Sequence, residues 1–419
     1  MDVIIVLLAV SLILFFGFFA EFVFRRFSIP DVLFLIILGF IIGPHVLGYI
    51  TPDSLVRVAP VFTTFTLLFL LFDGAFSIHL SSLIREFSHS FVLTIFNFFI
   101  SACVITLIMW LAGYQFLISL LTGFLLGGVS SSFVIPILKQ VKIPEKLYSL
   151  LTLESALTDV FCIVFSLTVI EIFKLGSFGF QQTFSQLVSL FAVAGMIGIA
   201  AGIVWIILIL RVFKERNYMM TIAYLIIVYV LTELLQGNGA IAALFFGLML
   251  KNSRQLSTIV GGITHHQLQA KNKSKNGPHK SGKFIGIAAT TPSEEFFYHQ
   301  VSFLLKTFFF VYVGVLINIS DWKALLIGII ISVVLMFSRM ASLLLTRKME
   351  DDYKNLVNSI FARGLAAAAV AQLAIQAGIP NAPFIAEVAY VAITGTIILS
   401  SVRVFLVKVK LPKAKVKLA

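Results

Sequence analysis

Apolar stretches of about twenty residues follow one another from Val3 to Val402, separated by short polar breaks. About twenty apolar residues is the length at which a helix crosses ~30 Å of hydrocarbon. Lipid offers no water to bond the backbone, so a spanning segment must be a helix or a strand of a closed barrel. Barrel strands alternate apolar and polar residues over about ten positions. A run such as Val3-Ile4-Ile5-Val6-Leu7-Leu8-Ala9-Val10 does not alternate. Only 12% of the 419 residues are charged and the mean hydropathy is +1.05. A soluble globular chain carries about 25% charged residues, so half of the usual solvated surface is missing. The expected fold is all-α and polytopic.

The pattern predicts thirteen spans, at about 3–24, 30–50, 60–82, 88–112, 115–138, 147–171, 187–210, 218–235, 238–250, 296–319, 322–346, 356–378 and 382–402. Only Gly237-Asn238-Gly239 separates the eighth from the ninth. The first run lacks a basic n-region, so it reads as a span rather than a cleaved signal peptide. Cytoplasmic loops collect Lys and Arg, which tests the count. Loops after odd-numbered spans, with the C-terminal tail, hold 25 of the 31 basic residues. A miscounted span would scramble that alternation downstream. The N-terminus is therefore expected outside and the C-terminus in the cytoplasm of a cell membrane. The formal net charge of +12 follows from the same bias, with anionic lipid headgroups as its natural partners, and requires no nucleic acid.

The whole chain, 1–419, reads as one membrane transporter domain. It divides into a first repeat of about 1–174, a linking helix of about 187–210, and a second repeat of about 218–402. A cytoplasmic loop at 252–295 and a basic tail at 403–419 complete it. The loop is rich in Lys, Ser, Asn and Gly, a composition that reads as a flexible solvated segment rather than a metal site built on His265, His266 and His279. The repeat shows faintly in Phe69-Leu70-Leu71-Phe72-Asp73-Gly74-Ala75-Phe76 beside Phe309-Phe310-Val311-Tyr312-Val313-Gly314-Val315-Leu316. The two lie seven spans apart, an odd number, so the halves have opposite orientation, as in many secondary transporters. Cys103 and Cys162 both fall inside spans and suggest neither a disulfide nor a metal site. No cofactor is expected.

A charge at a helix centre costs about 2.5–3.5 kcal/mol on insertion scales, so intramembrane ionisable residues are functional candidates. Here they are Asp73, Glu154, Asp159, Lys306, Arg339 and Arg363. Asp159 lies ~18 Å along its span at 1.5 Å per residue, near the midplane, with no basic neighbour in sequence. Ser155 sits one turn before it on the same face, and Glu154 and Thr158 share the adjacent face. Glu154 and Arg339 each lie ~10 Å from the cytoplasmic end of their helices; equal depth and opposite charge predict an ion pair. In the fifth span, Gly127-Gly128-Val129-Ser130-Ser131-Ser132 precedes Pro136. Glycine and proline weaken the helix, and the hydroxyls of Ser130, Ser131 and Ser132 could satisfy the groups so freed. The same small residues could instead serve close helix packing.

Together these segments resemble the monovalent cation/proton antiporter superfamily over nearly the whole chain. Gly39-Phe40-Ile41-Ile42-Gly43-Pro44-His45-Val46-Leu47-Gly48 resembles that family's second span and Leu71-Phe72-Asp73-Gly74 its third. Glu154-Ser155 through Asp159 resembles the sixth, Glu233-Leu234-Leu235 through Gly247 the turn into the ninth, and Arg363-Gly364-Leu365-Ala366-Ala367-Ala368 the twelfth. The pattern is most similar to archaeal and bacterial electroneutral sodium/proton antiporters. The resemblance implies two inverted repeats with discontinuous crossing helices and a homodimer. It implies that Asp159 takes proton and cation in turn, that Glu154 and Arg339 brace the core, and that Ser130 to Ser132 lie at the crossing. The chain departs from the pattern at Thr158, where relatives carry Asn, Asp or Gln, and in the fifth span, where many electroneutral members carry an acid.

The expected function is secondary exchange of a monovalent cation, Na⁺ first, for H⁺ in an electroneutral cycle. Desolvation favours the protonated form of a carboxyl and a bound cation the ionised form, so one carboxylate can couple the two gradients. Cation or proton contacts are expected from Asp159, Thr158, Ser155, Ser130, Ser131 and Ser132, with Asp73, Lys306 and Arg363 as secondary candidates. The transported ions would be Na⁺ and H⁺, with Li⁺ or K⁺ as further cargo. A K⁺/H⁺ exchanger or K⁺ efflux system keeps the fold and changes the cargo. A passive cation channel would have no need of a titrating acid at the midplane. An intramembrane enzyme is disfavoured, because no span carries Gly-x-Gly-Asp or His-Glu-x-x-His.

Overall fold

The computed structural model describes residues 3–27, 30–51, 55, 58–76, 89–141, 143–175, 180–209, 217–253, 290–346 and 351–410. Among them lie fifteen α-helices and no strand. In chain order these are α1 (Val3–Phe27), α2 (Asp31–Ile42), α3 (Ala59–Phe76), α4 (His89–Leu111), α5 (Phe116–Leu125), α6 (Ser131–Val141), α7 (Glu145–Leu175) and α8 (Phe180–Ile207). They continue with α9 (Tyr218–Leu234), α10 (Gly239–Lys251), α11 (Pro292–Leu316), α12 (Trp322–Ser338), α13 (Asp351–Ser359), α14 (Leu365–Gln376) and α15 (Ala382–Lys410). A 3-10 turn, Arg339–Leu344, continues α12.

Seven of these helices are long and apolar enough to cross a membrane, and apolar helices stand at the other six expected span positions. The chain is a polytopic all-α membrane protein. Two spans are each split into a pair of helices. The fifth becomes α5 and α6, separated by 126–130, and the twelfth becomes α13 and α14, separated by 360–364. The split spans lie seven apart, as inverted repeats require. Residues 254–289 of the predicted cytoplasmic loop, with His265, His266 and His279, lie outside the described residues, as do 411–419 of the tail. Among the described residues no group of three His, Cys, Asp or Glu side chains is placed to hold a metal.

The chain forms two compact units, one of Met1–Leu67, Glu86–Phe178 and Phe303–Ala419, the other of Leu68–Arg85 and Gly179–Ser302. The first contains both split spans. Its α12 packs on α15, α4 on α5 and α7, and α14 on α7 and α15. Membrane helices approach through small residues because lipid gives no hydrophobic drive to associate them. At Gly39 of α2 a Cβ would strike the Val311 carbonyl, and at Gly314 of α11 it would strike the Ile36 carbonyl. The two helices therefore touch backbone to backbone. Elsewhere aromatic rings fill the gaps: Phe98, Phe124 and Phe165 form a stack with centroids 5.2–6.2 Å apart.

In the second unit α8 packs on α10 and α10 on α9. Gly198 faces the Ala242 carbonyl with no space for a Cβ. Phe72 stacks on Phe246 and meets Tyr298 edge-on. The tight link between α9 and α10 is made by Gln236 in the left-handed region (φ 57°) and by Asn238, whose side chain caps α10 at Ile241 N. Such a cap satisfies an amide that lipid could not.

Replacing Gly314 by Leu should force α2 off α11. Overpacking costs typically about 1–3 kcal/mol, and here backbone stands in the way, so the melting temperature in detergent should fall by several degrees. Gly195→Ala, whose Cβ would rest 3.5 Å from Phe245, should leave it unchanged or raise it. Equal melting of both variants would contradict the close α2–α11 approach.

Candidate functional site

The site grows from the two breaks. Gly127 and Gly128 are poor helix formers, and α5 stops just before them. At Gly128 a Cβ would sit 2.6 Å from the Thr158 carbonyl, and at Gly364 it would collide with the Ser130 hydroxyl. Glycine at both positions lets the unwound segments cross in contact. Ser130 N donates to Ala362 O across the crossing at 2.9 Å. Other freed groups are taken up by side chains. Val129 N donates to Thr158 Oγ1 at 3.0 Å, and that hydroxyl lies 3.3 Å from Val129 O and 3.2 Å from Ser155 O. Arg363 N donates to Thr396 Oγ1 at 3.0 Å and Phe361 N to Ser400 Oγ at 3.4 Å.

Arg363 is 1% exposed, and its guanidinium serves the end of α5. Nη1 donates to Gly127 O and Gly128 O at 2.8 and 2.5 Å, and Nη2 donates to Ser101 Oγ at 3.0 Å. A helix C-terminus carries partial negative charge, so a cation there is compensated without a carboxylate.

Asp159 faces the opposite kind of helix end. Its Oδ2 accepts from Ser131 N at 3.2 Å and from Ser131 Oγ at 2.6 Å, at the first residue of α6. The amide end of a helix favours an anion. Asp159 is half-buried, and among the described residues it has no ion pair. Ser155, one turn earlier, is fully buried and donates to Thr152 O at 3.0 Å. Ser132 is half-buried in the first turn of α6. The structure thus joins Asp159 to Ser131 directly, puts Ser130 at the crossing against Gly364, and puts the Thr158 hydroxyl on Val129.

Glu154, on the same helix as Asp159, has charged company. Arg339 Nη1 and Nη2 meet its two oxygens at 2.5 and 2.9 Å, the two-pronged geometry of strong guanidinium–carboxylate pairs. Asn97 Nδ2 adds a bond to Oε1 at 2.9 Å, and Arg339 Nε donates to Val357 O at 3.1 Å. The carboxylate and the guanidinium are both buried, which is tolerable because their hydrogen-bonding groups are satisfied.

Three partners were not read from the sequence. Lys306 meets Asp31 at 3.3 Å, at the start of α2. Asp73 meets His299 Nδ1 at 2.7 Å, within the second unit. Asn97 escaped notice because it is uncharged, although an amide in the middle of an apolar span is itself a signal for a buried polar partner.

Removing one member of a buried pair costs about 3–5 kcal/mol, so Glu154→Ala and Arg339→Ala should each lower thermal stability strongly. The exchange Glu154→Arg with Arg339→Glu should recover part of the loss. Additive effects in this double-mutant cycle would argue against direct contact.

The comparisons agree with this architecture. A family model described as "Sodium/hydrogen exchanger, transmembrane" matches residues 10–409. The sodium proton antiporter MjNhaP1 from Methanocaldococcus jannaschii at pH 8 superposes with a TM-score of 0.73 at 20% identity, covering 96% of this chain and 99% of that one. An electron-microscopy structure of the same protein gives 0.70 at 20% identity, covering 98% of each chain. At that identity the likeness speaks for the fold. A K⁺/H⁺ antiporter, NhaP of Alkalimonas amylolytica, is 23% identical over 234 residues, 55% of this chain. The match spans 41% of that relative's length. With a family model matched along nearly its whole length, and with the split-helix fold to go with it, the chain belongs to the sodium/hydrogen exchanger family.

Proposed function

We propose that the chain is a secondary antiporter exchanging a monovalent cation, Na⁺ first, for H⁺ by competition at Asp159, and that it is a transporter rather than an enzyme. The observation that carries this reading is an acid lodged where two helices break, held by neutral donors and not by a cation. Carboxylate, hydroxyl and freed carbonyl oxygens are the ligands that hard cations take. Desolvation favours the acid form of a carboxyl and a cation the ionised form, so the two cargoes exclude each other. The charge distribution along the chain supports insertion in a cell membrane with the N-terminus outside and the C-terminus in the cytoplasm, in contact with anionic lipid. Family membership supports a homodimer. Na⁺ as cargo is supported by the name of the structural relative and K⁺ by that of the curated one. A K⁺/H⁺ exchanger is accordingly the second reading.

Proton movement in proteoliposomes on addition of Na⁺, Li⁺, K⁺ or an impermeant cation separates these cargoes. Asp159→Asn should abolish cation-driven proton flux while the protein stays folded and inserted. Flux near the normal rate in that variant would remove Asp159 from the mechanism.

The exchange is one cation for one proton, because the crossing holds one acid and its loaded charge is the same with either cargo. Each net charge moved would otherwise gain about 2.3 kcal/mol per 100 mV. Under a valinomycin-imposed K⁺ diffusion potential, steady-state sodium and proton gradients should not change with voltage. Gradients that shift with voltage would show a net charge per cycle.

A further inference from the structure

We propose that Ser131 is a positioning residue whose amide and hydroxyl together hold Asp159 Oδ2, leaving Oδ1 as the single oxygen for which cation and proton compete. The inference rests on the antiport reading of Asp159 and goes beyond it, to the atom.

The first amides of a helix have no partner within it. Ser131 opens α6 because the chain is unwound up to Ser130, whose carbonyl takes the amides of Phe133 and Val134. The amide of Ser131 is therefore free to leave the helix, and it goes to Asp159 Oδ2. The side chain of the same residue curls to the same oxygen at 2.6 Å, inside the short range of hydroxyl–carboxylate bonds. A carboxylate oxygen offers two lone pairs. Two donors fill Oδ2. Among the described residues no hydrogen bond ends on Oδ1, and Asp159 retains solvent access.

Two of the neighbouring hydroxyls are committed elsewhere. Thr158 clamps Val129 from the helix that carries Asp159, and Ser155 bonds its own helix. Among the described residues, Ser131 is the residue that bonds the Asp159 carboxylate to the start of α6. It fixes which oxygen faces the cargo. The hydroxyl donates to Oδ2, so in this proposal the group acts on the cargo through Asp159.

The test compares Ser131→Ala with wild type by cation-driven proton flux at one fixed pH. The apparent KM for the cation should rise about tenfold, equivalent to about 1.4 kcal/mol and at the low end for a hydrogen bond to a charged group. The maximal rate should stay within about twofold, and the KM values for Na⁺ and Li⁺ should rise by the same factor. Ser131→Thr, which keeps the hydroxyl, should restore the wild-type KM. If Ser131→Ala fails to insert, the isosteric pair Ser131→Thr and Ser131→Val carries the same comparison. An unchanged KM, a loss of rate alone, or Thr no better than Ala would overturn the positioning role. A changed Na⁺ to Li⁺ preference would also overturn it, by making Ser131 a direct ligand. Wild-type flux that ignores every cation would bring down the antiport reading itself, and this inference with it.

Discussion

A peptide group without a partner in hydrocarbon costs several kcal/mol, and two spans of this protein release such groups in their middles. Everything around the crossing answers that demand. The backbones of segments 126–130 and 360–364 bond each other once, through Ser130 and Ala362. Side chains do the rest: Thr158, Thr396 and Ser400 take amides, and Arg363 takes the carbonyls at the end of α5. Apart from Arg363, which lies in the second broken segment, these side chains come from α7 and α15, so the break is stable only when the surrounding bundle is assembled. The opened backbone is what brings oxygen groups to a depth where a straight helix would present only side chains.

The charges sort by the same logic. Glu154 and Arg339 neutralise each other with Asn97 in attendance, and Asp31 does so for Lys306. Arg363 is balanced by a helix end and not by an acid. Asp159 is held instead by the amide and hydroxyl of Ser131. A salt bridge there would compete with any arriving cation. Neutral donors orient the carboxylate without supplying the positive charge that the cargo must bring.

The all-α polytopic class was legible because apolar length is a property of the sequence alone. The break in the fifth span was announced by Gly127-Gly128. That in the twelfth was hidden in Ile360-Phe361-Ala362-Arg363-Gly364, which reads as apolar helix with one charge. Depth along the helices gave the pairing of Glu154 with Arg339, because both positions are measured from the same side. Lys306 with Asp31 was not legible, since Asp31 stood at a span end where an acid needs no explanation. Thr158 stands beside Asp159, among the expected cation contacts. Its hydroxyl meets the Val129 backbone, a use that only the position of the broken segment reveals.

The small residues at the crossing also limit how many acids the site can hold. Ser130 is buried where its hydroxyl occupies the space that a Cβ on Gly364 would need. A carboxylate at 130 would be longer than serine and would have to displace the 360–364 segment or turn away from it. It would also lie beside the Gly127 and Gly128 carbonyls that Arg363 now serves, drawing the guanidinium off them. Packing and charge balance thus favour the same outcome, one acid at the crossing. A site with one acid can hold one positive charge at a time without acquiring net charge. On the antiport reading proposed above, the tightness that keeps the two broken helices together would hold the crossing to that one acid.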